Sequence, residues 1–377
     1  MSTTVRLVGL DVARALALLG MVATHLLPDL TASGEQTWPH ELAGGRASAL
    51  FAVLAGVALA LMTGRRTPLQ GGDRMRASLG LAARALLIAL LGLALATQET
   101  GLAVILTYYG VMFLLAIPFA GLRARSLALL AAAWLVVVPL VSHWLRPDLP
   151  PRRYDNPLFE QLEQPGLLMW ELLFTGYYPA VPWLAYVFAG MAVGRSDLAR
   201  RSVQAGLLAG GVLLAGFASF VSGKATAGEF RRRTLEDADF GLYGTTSTDR
   251  WAWLLVDSPH SATPFDLAAT IGSSLAVIGL CLLLAGVLPG LGVRGLAVVF
   301  GAGTMTLTLY SLHAVLRTDR FWPPDDGAFT RHVVLLGVIG MGFVLLRWRG
   351  PLELAVGLPA RLLRRRNRTP AAYVESS

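Results

Sequence analysis

Cysteine is almost absent from this 377-residue sequence: Cys281 stands alone inside an apolar run, so no disulfide or cysteine-based metal site can form within the chain. Lysine is nearly as scarce. Of 32 basic residues only Lys224 is a lysine, a usage that points to a GC-rich bacterial genome. Charge is sparse at 15%, against 54% hydrophobic residues and a mean hydropathy of +0.57. A water-soluble domain has no interior large enough for that much apolar surface. HExxH, CxxC and any His–carboxylate spacing suited to a metal are missing, as is the GxSxG elbow of serine hydrolases. No metal centre is therefore expected. GLGVRG at 290–295 has the spacing of a dinucleotide fingerprint, but it joins two apolar runs and lacks the strand–turn–helix unit that gives the motif meaning.

What the chain does have is ten apolar stretches, at roughly 7–27, 46–63, 77–96, 102–119, 126–145, 179–195, 202–222, 264–288, 293–316 and 331–347. Each approaches the ~20 residues that cross a bilayer as a helix. The expected fold is an all-α polytopic bundle of about ten transmembrane helices. Loop charge sets its orientation, because short cytoplasmic loops retain Arg and Lys. With the N-terminus inside, the cytoplasmic segments hold 18 basic and four acidic residues, while the outer segments hold 12 basic and 19 acidic. Both termini are thus expected in the cytoplasm, in a bacterial inner membrane. The basic balance follows from topology and gives no reason to invoke nucleic acid. Asp11 and Arg14 inside the first apolar run make it a poor cleavable signal, so it is expected to stay.

Residues 1–350 read as one membrane domain, with two long outer loops, 146–178 and 223–263. The second carries Arg231–Arg233, then Glu236, Asp237 and Asp239, then Trp251 and Trp253. An ordered cap over the bundle and a solvated linker both fit. Residues 351–377 form a basic cytoplasmic tail, opening with an amphipathic stretch suited to a membrane surface. Gly206 and Gly210 read as helix-packing positions, and Gly110 and Pro139 as places where spans could be interrupted.

The first span, GLDVARALALLGMVATH, carries charge where lipid should be. At about 100° per residue, Asp11, Arg14 and His25 fall within about 60° of one another, on one stripe of the helix. Arg14 and His25 are then about 16 Å apart along it. Arg84 lies at a similar depth in the third span. Charges there cost at least ~2–3 kcal/mol each unless paired or facing a watered cavity. An Asp11–Arg14 or Asp11–Arg84 pair that only fixes helix packing is one reading. One Asp cannot neutralise two Arg, however, and the surplus would suit a phosphate or carboxylate ligand.

All six histidines, His25, His40, His143, His260, His313 and His332, fall at or beyond the outer ends of the spans. Histidine is the usual general base for a hydroxyl or amine. His143 beside Trp144 and His332 beside Arg331 read as interfacial residues. His25 and His313 end apolar helices. His260 sits in SPHSATPF, where Thr263 can cap a helix ahead of Pro264.

RLVGLDVARALALLGMVATH resembles the opening of the transmembrane acyltransferase superfamily. GGRASALFAVLAGVALAL resembles its second span, ILTYYGVMFLLAIPF its fourth, and YPAVPWLAYVFAGMAVGR its Pro-Trp span ending in Gly-Arg. RGPLE at 349–353 is similar to the C-terminal signature of the YeiB-type domain, a relative of the heparan-α-glucosaminide N-acetyltransferase catalytic domain. The resemblance implies transfer of an acyl group, such as acetyl, from cytoplasmic acyl-CoA to a sugar or lipid-linked hydroxyl or amine across the membrane. The heparan enzyme's active histidine lies in the loop after the first span, where His40 is nearest; another branch uses the helix-end position, here His25. On this reading Asp11, Arg14 and Arg84 organise the donor's anionic part. His25 or His260 is the base, and Arg46 and His313 line the outer mouth. Membrane lipid and a second copy of the chain complete the expected partners. A transporter or flippase of an anionic solute, and a non-catalytic scaffold, remain the rival readings.

Overall fold

The computed structural model describes residues 7–154, 156–227, 242–323, 325 and 327–365. Arg6, the Arg231–Arg233 cluster, Glu236, Asp237, Asp239 and the last tail arginines, Arg366 and Arg368, lie outside them. The described chain is helical, with a single isolated bridge, Leu30 to Gln36, in place of any sheet.

Helices α1 (Val8–Leu26), α2 (Trp38–Ala43), α3 (Arg46–Met62), α4 (Gly71–Ala96), α5 (Leu106–Ala116), α6 (Ala124–Leu145) and α7 (Pro165–Trp170) follow one another in the first half. Then come α8 (Ala180–Arg195), α9 (Arg201–Ala225), α10 (Pro264–Val287), α11 (Gly290–Val299), α12 (Thr306–Leu316), α13 (Ala328–Leu345) and α14 (Pro351–Arg365). Among the described residues seven helices are long and apolar enough to cross a membrane, the Trp38–Met62 segment counting as one. The segments Pro165–Thr175 and Ala180–Arg195, bent by 53° at their break, make an eighth if they form one span.

The two remaining stretches expected to cross are shorter. The fourth is the helical segment Leu106–Gly121, and 293–316 is divided by the turn Gly301–Thr304 into α11 and α12. Hydropathy does not register that division, because the four turn residues Gly-Ala-Gly-Thr carry no charge and are too few to split the apolar run. The reason for it is steric: Gly303 lies so close to the Asp11 carbonyl of α1 that a Cβ would collide. Neither Gly110 nor Pro139 interrupts a helix. Gly110 lies within α5 against α4, and Pro139 lies within α6. Gly206 and Gly210 have no neighbour against them, whereas Gly211, on the next face of α9, meets Gly272 and Ala276 of α10.

Polar ties between helices are few and well buried. Tyr186 and Thr270 share a hydroxyl hydrogen bond of 2.8 Å between α8 and α10, and the Trp134 indole of α6 donates to the Val181 carbonyl of α8 at 2.7 Å. The densest knot is Arg195, the last residue of α8, only 3% exposed. Its guanidinium donates to the carbonyls of Ala60, Thr63 and Arg65, to the Thr63 hydroxyl and to the Ala120 carbonyl. These carbonyls lie at the end of α3 and in the turns after α3 and α5, where helix ends leave acceptors in excess; Ala60 and Thr63 also accept the backbone N–H groups of Arg65 and Leu69. One cation thus closes two chain ends that hydrocarbon could not solvate.

Arg195→Ala removes five hydrogen bonds from this buried cluster at once and is expected to cost about 3 kcal/mol or more. Arg66→Ala breaks only an exposed 2.9 Å pair with Asp197 and should cost no more than about 1 kcal/mol. Thermal unfolding of both variants in detergent measures the difference.

Candidate functional site

Polar groups collect at the two ends of α1, and a cavity opens at each. At the end marked by Asp11 and Arg14, a cavity of about 600 Å³ is lined by Asp11, Arg84, Arg347, Arg349, Glu353 and Arg361, among others. Four guanidiniums therefore face two carboxylates. Asp11 pairs with Arg14, Oδ1 to Nη1 at 3.0 Å, which is the expected i, i+3 pairing within α1. Among the described residues Arg84 reaches no carboxylate in a hydrogen bond: its Nη1 points at the Met62 sulfur, 3.9 Å away, and its buried Nε has no partner.

Three of the arginines come from the segment joining α13 to α14 and from α14 itself, so the tail helix walls the cavity as well as carrying charge. It packs on α4, with Ala360 against Gly80, and one carboxylate ties its start to α12. Glu353 accepts hydrogen bonds from the backbone N–H groups of Leu307 at 2.7 Å and Thr308 at 3.2 Å, and from the Thr308 hydroxyl at 2.6 Å. Breaking the 293–316 stretch exposes those N–H groups at the start of α12, and a carboxylate is the natural cap for them. The RGPLE motif marks this fastening point, but the sequence alone assigned Glu353 no role.

At the opposite end of α1 a cavity of about 680 Å³ is lined by His25, His40, Ser48, Tyr177, Tyr178, His260 and Arg317, among others. His40 is fully engaged. Its Nε2 lies 2.8 Å from Asp29 and 3.1 Å from the Thr24 carbonyl, and its Nδ1 lies 3.3 Å from the Thr37 hydroxyl. Among the described residues His25 bonds through Nδ1 alone, to His313 Nε2 at 3.1 Å, which leaves Nε2 for the cavity its ring lines. Arg317 braces the end of α1 by donating to the His25 carbonyl at 3.1 Å.

His260 is placed by its own short loop. As the sequence implied, Thr263 caps α10 by accepting from the Asp266 N–H at 3.1 Å, with Pro264 following. The Asp266 carboxylate returns the favour by accepting from the Ala262 N–H at 2.9 Å. That exchange supports left-handed backbone at His260 (φ 60°) and Ala262 (φ 53°), conformations that cost a non-glycine residue energy. The imidazole packs among Tyr177, Tyr178 and Trp183. Burial there holds it at about 4 against an ordinary 6.5, so it is neutral at physiological pH. The loops around it interlock: Arg152 donates to the Tyr243 carbonyl at 3.2 Å, and Asn156 bonds both Leu102 and Val104 at 2.6 Å.

Other sequence candidates fall elsewhere. His313 is fully buried behind His25 and does not line the cavity. Arg46 does not line it either; its guanidinium donates to the Glu41 carbonyl, and it starts α3 at the end away from Arg84. His143 is buried against Trp251. His332 is buried and bonded to His313. Arg317 had no signal in the sequence beyond its charge, and Arg349 and Glu353 were marked only as part of RGPLE, without a role.

Between the two cavities runs a narrow apolar slot of about 140 Å³, whose walls include Arg14, Met21, Leu54, Tyr109 and Tyr310. Met62 and Arg84 belong to both the slot and the arginine-end cavity, and Met21 to both the slot and the histidine-end cavity.

Residues 6–221 match the family model described as heparan-alpha-glucosaminide N-acetyltransferase, catalytic. The match spans more than half of the chain, which therefore belongs to this family. It includes Asp11, Arg14, His25, His40 and Arg84 and stops before His260, His313 and Glu353. A search of curated proteins finds no match.

His260 makes a specific contribution to stability with pH. Its folded value lies below its unfolded one, so the contribution is complete above about 6.5 and is lost as pH falls toward about 4, while only the unfolded chain binds the proton. Thermal midpoints measured across that window should fall less steeply in His260→Gln than in the parent.

Proposed function

We propose that the chain is a membrane-bound acyltransferase. It takes an acyl group, most simply acetyl, from acyl-CoA at the arginine end and passes it to a hydroxyl or amine of a sugar or lipid-linked acceptor at the histidine end. The arginine end faces the cytoplasm of a bacterial inner membrane, with ten crossings and both termini inside; the retention of basic residues in those loops supports this orientation. Membership of an N-acetyltransferase family supports the reaction class.

The observation that carries the reading is the succession of cavities, polar at each end and apolar between, with shared walls. Acyl-CoA has the same order of parts: phosphates, then a thin arm, then the thioester. Arg84, Arg347, Arg349 and Arg361 would hold the phosphates, with Arg14 at the entrance to the slot. The slot would pass the arm over the ~16 Å that separates Arg14 from His25 along α1. His25, with Nε2 free toward the cavity, would take the proton from the attacking hydroxyl or amine. His260 and Tyr177 would bound the acceptor. His40, with both nitrogens occupied, is the weaker choice of base.

One observation favours a rival. The break between α11 and α12 beside Asp11 is the kind of discontinuous helix that transporters place at a binding site. Uptake of an anionic solute into proteoliposomes with no thioester present would support that reading.

With purified protein, acyl-CoA and a panel of amino sugars, His25→Ala is expected to lower turnover by at least ~10²-fold. Arg84→Ala should raise the KM for acyl-CoA about tenfold or more while affecting turnover less. Normal rates in both variants would end the assignment. Cys281→Ala provides a cysteine-free background for topology. Single cysteines at Arg65 and Gln98 should then react with an impermeant maleimide from opposite faces of membrane vesicles.

A further inference from the structure

His25 is the first ring of a chain of three. Its Nδ1 lies 3.1 Å from His313 Nε2, and His313 Nδ1 lies 2.9 Å from His332 Nδ1. The first two rings are stacked with 4° between their planes, and the third stands at 82° to the second. Three helices contribute, α1, α12 and α13. The chain leads from the cavity wall into the interior, where His313 and His332 are both fully buried.

Each nitrogen–nitrogen contact requires one donor and one acceptor, so neutral rings allow only two arrangements of protons. In one, His25 carries its proton on Nδ1, His313 on Nδ1 and His332 on Nε2, and His25 shows the cavity a lone pair. In the other every proton moves to the opposite nitrogen, and His25 shows the cavity an N–H. The tautomer of a histidine is set by the partner of its far nitrogen, so His25 cannot choose independently of the two behind it. The first arrangement is favoured at the buried end. His332 Nε2 is buried with no hydrogen-bond partner among the described residues, and Trp322 stands against the same ring with centroids 5.5 Å apart and planes at 77°, an aromatic neighbour whose π-cloud can receive an N–H but offers nothing to a lone pair. Arg331 lies over the same indole and Arg317 bonds the His25 carbonyl. Neither guanidinium can accept a proton from the chain.

The geometry points to His313 and His332 as positioning residues that hold His25 in its Nδ1–H tautomer, with Nε2 presented to the cavity as a base. This rests on the acyl-transfer reading for its use but not for its existence. During transfer the acceptor's proton passes to His25 Nε2 as the new C–O or C–N bond forms and the C–S bond breaks. The departing thiolate then takes a proton back. In between, the positive charge is shared along the chain, His25 Nδ1–H leaning toward His313 and His313 Nδ1–H toward His332. Two imidazoles here do what a carboxylate does behind the histidine of a serine protease.

The test needs no substrate. Diethyl pyrocarbonate acylates an imidazole nitrogen that carries a lone pair, and mass spectrometry of the His25 peptide reads the rate in the full-length protein. His260 and His40, in the same cavity, are internal references. His332→Leu removes the terminal acceptor, whereas His332→Asn places a carbonyl oxygen where Nδ1 stood. His25 modification is expected to slow about tenfold in His332→Leu, the scale on which such outer partners act. In His332→Asn it should stay within about twofold of the parent. If Leu and Asn behave alike, or Asn is the slower, the positioning role is overturned. Loss of acyl transfer with this pattern intact, or the reverse, separates the fate of the inference from that of the proposed reaction.

Discussion

A charged group in hydrocarbon has no water to turn to, at a cost of at least ~2–3 kcal/mol unless protein or a cavity receives it. That constraint organises the whole molecule. The charged stripe of α1 is answered partly from within, by the Asp11–Arg14 pair, and partly by other helices, which bring a cavity lined by Arg84 and Glu353 to Asp11 and an imidazole to His25. Where partners are too few, cavities form. The arginine-end cavity exists because four guanidiniums and two carboxylates cannot all be packed against apolar neighbours. Arg195 shows the opposite solution, a buried cation whose two terminal nitrogens are taken up by carbonyls and a hydroxyl.

Much of the fold was legible because hydropathy is a residue-by-residue property and the membrane reads it the same way. The cap at Thr263 and Pro264 was legible for a similar reason, since three adjacent residues contain all of its chemistry. The stripe on α1 needed only helical arithmetic. The division of 293–316 was hidden because it is imposed by a carbonyl nearly 300 positions away in sequence. Gly206 and Gly210 misled because periodicity shows that small residues share a face without showing which neighbour that face meets; Gly211 is the one in contact.

The site was legible in its first layer and obscure in its second. Asp11, Arg14, Arg84, His25 and His260 all line one of the three spaces. His332 looked interfacial because Arg331 stands beside it. Adjacent helical residues point about 100° apart, so Arg331 reaches Asp325 at the surface while His332 turns inward to His313. Glu353 was obscure because its partners, two backbone N–H groups and the Thr308 hydroxyl, lie about 45 positions away behind a helix break that hydropathy does not show.

The His25–His313 bond spans 288 positions, and the turn that touches Asp11 is nearly as distant. A ribosome adding about 5–20 residues per second needs roughly a quarter of a minute to a minute to make that intervening chain. Throughout that interval the newborn first helix sits in the bilayer with its far-end imidazole unanswered. Biogenesis must therefore shelter it, in the insertion machinery or at the headgroup boundary, until the helix that carries His313 has emerged.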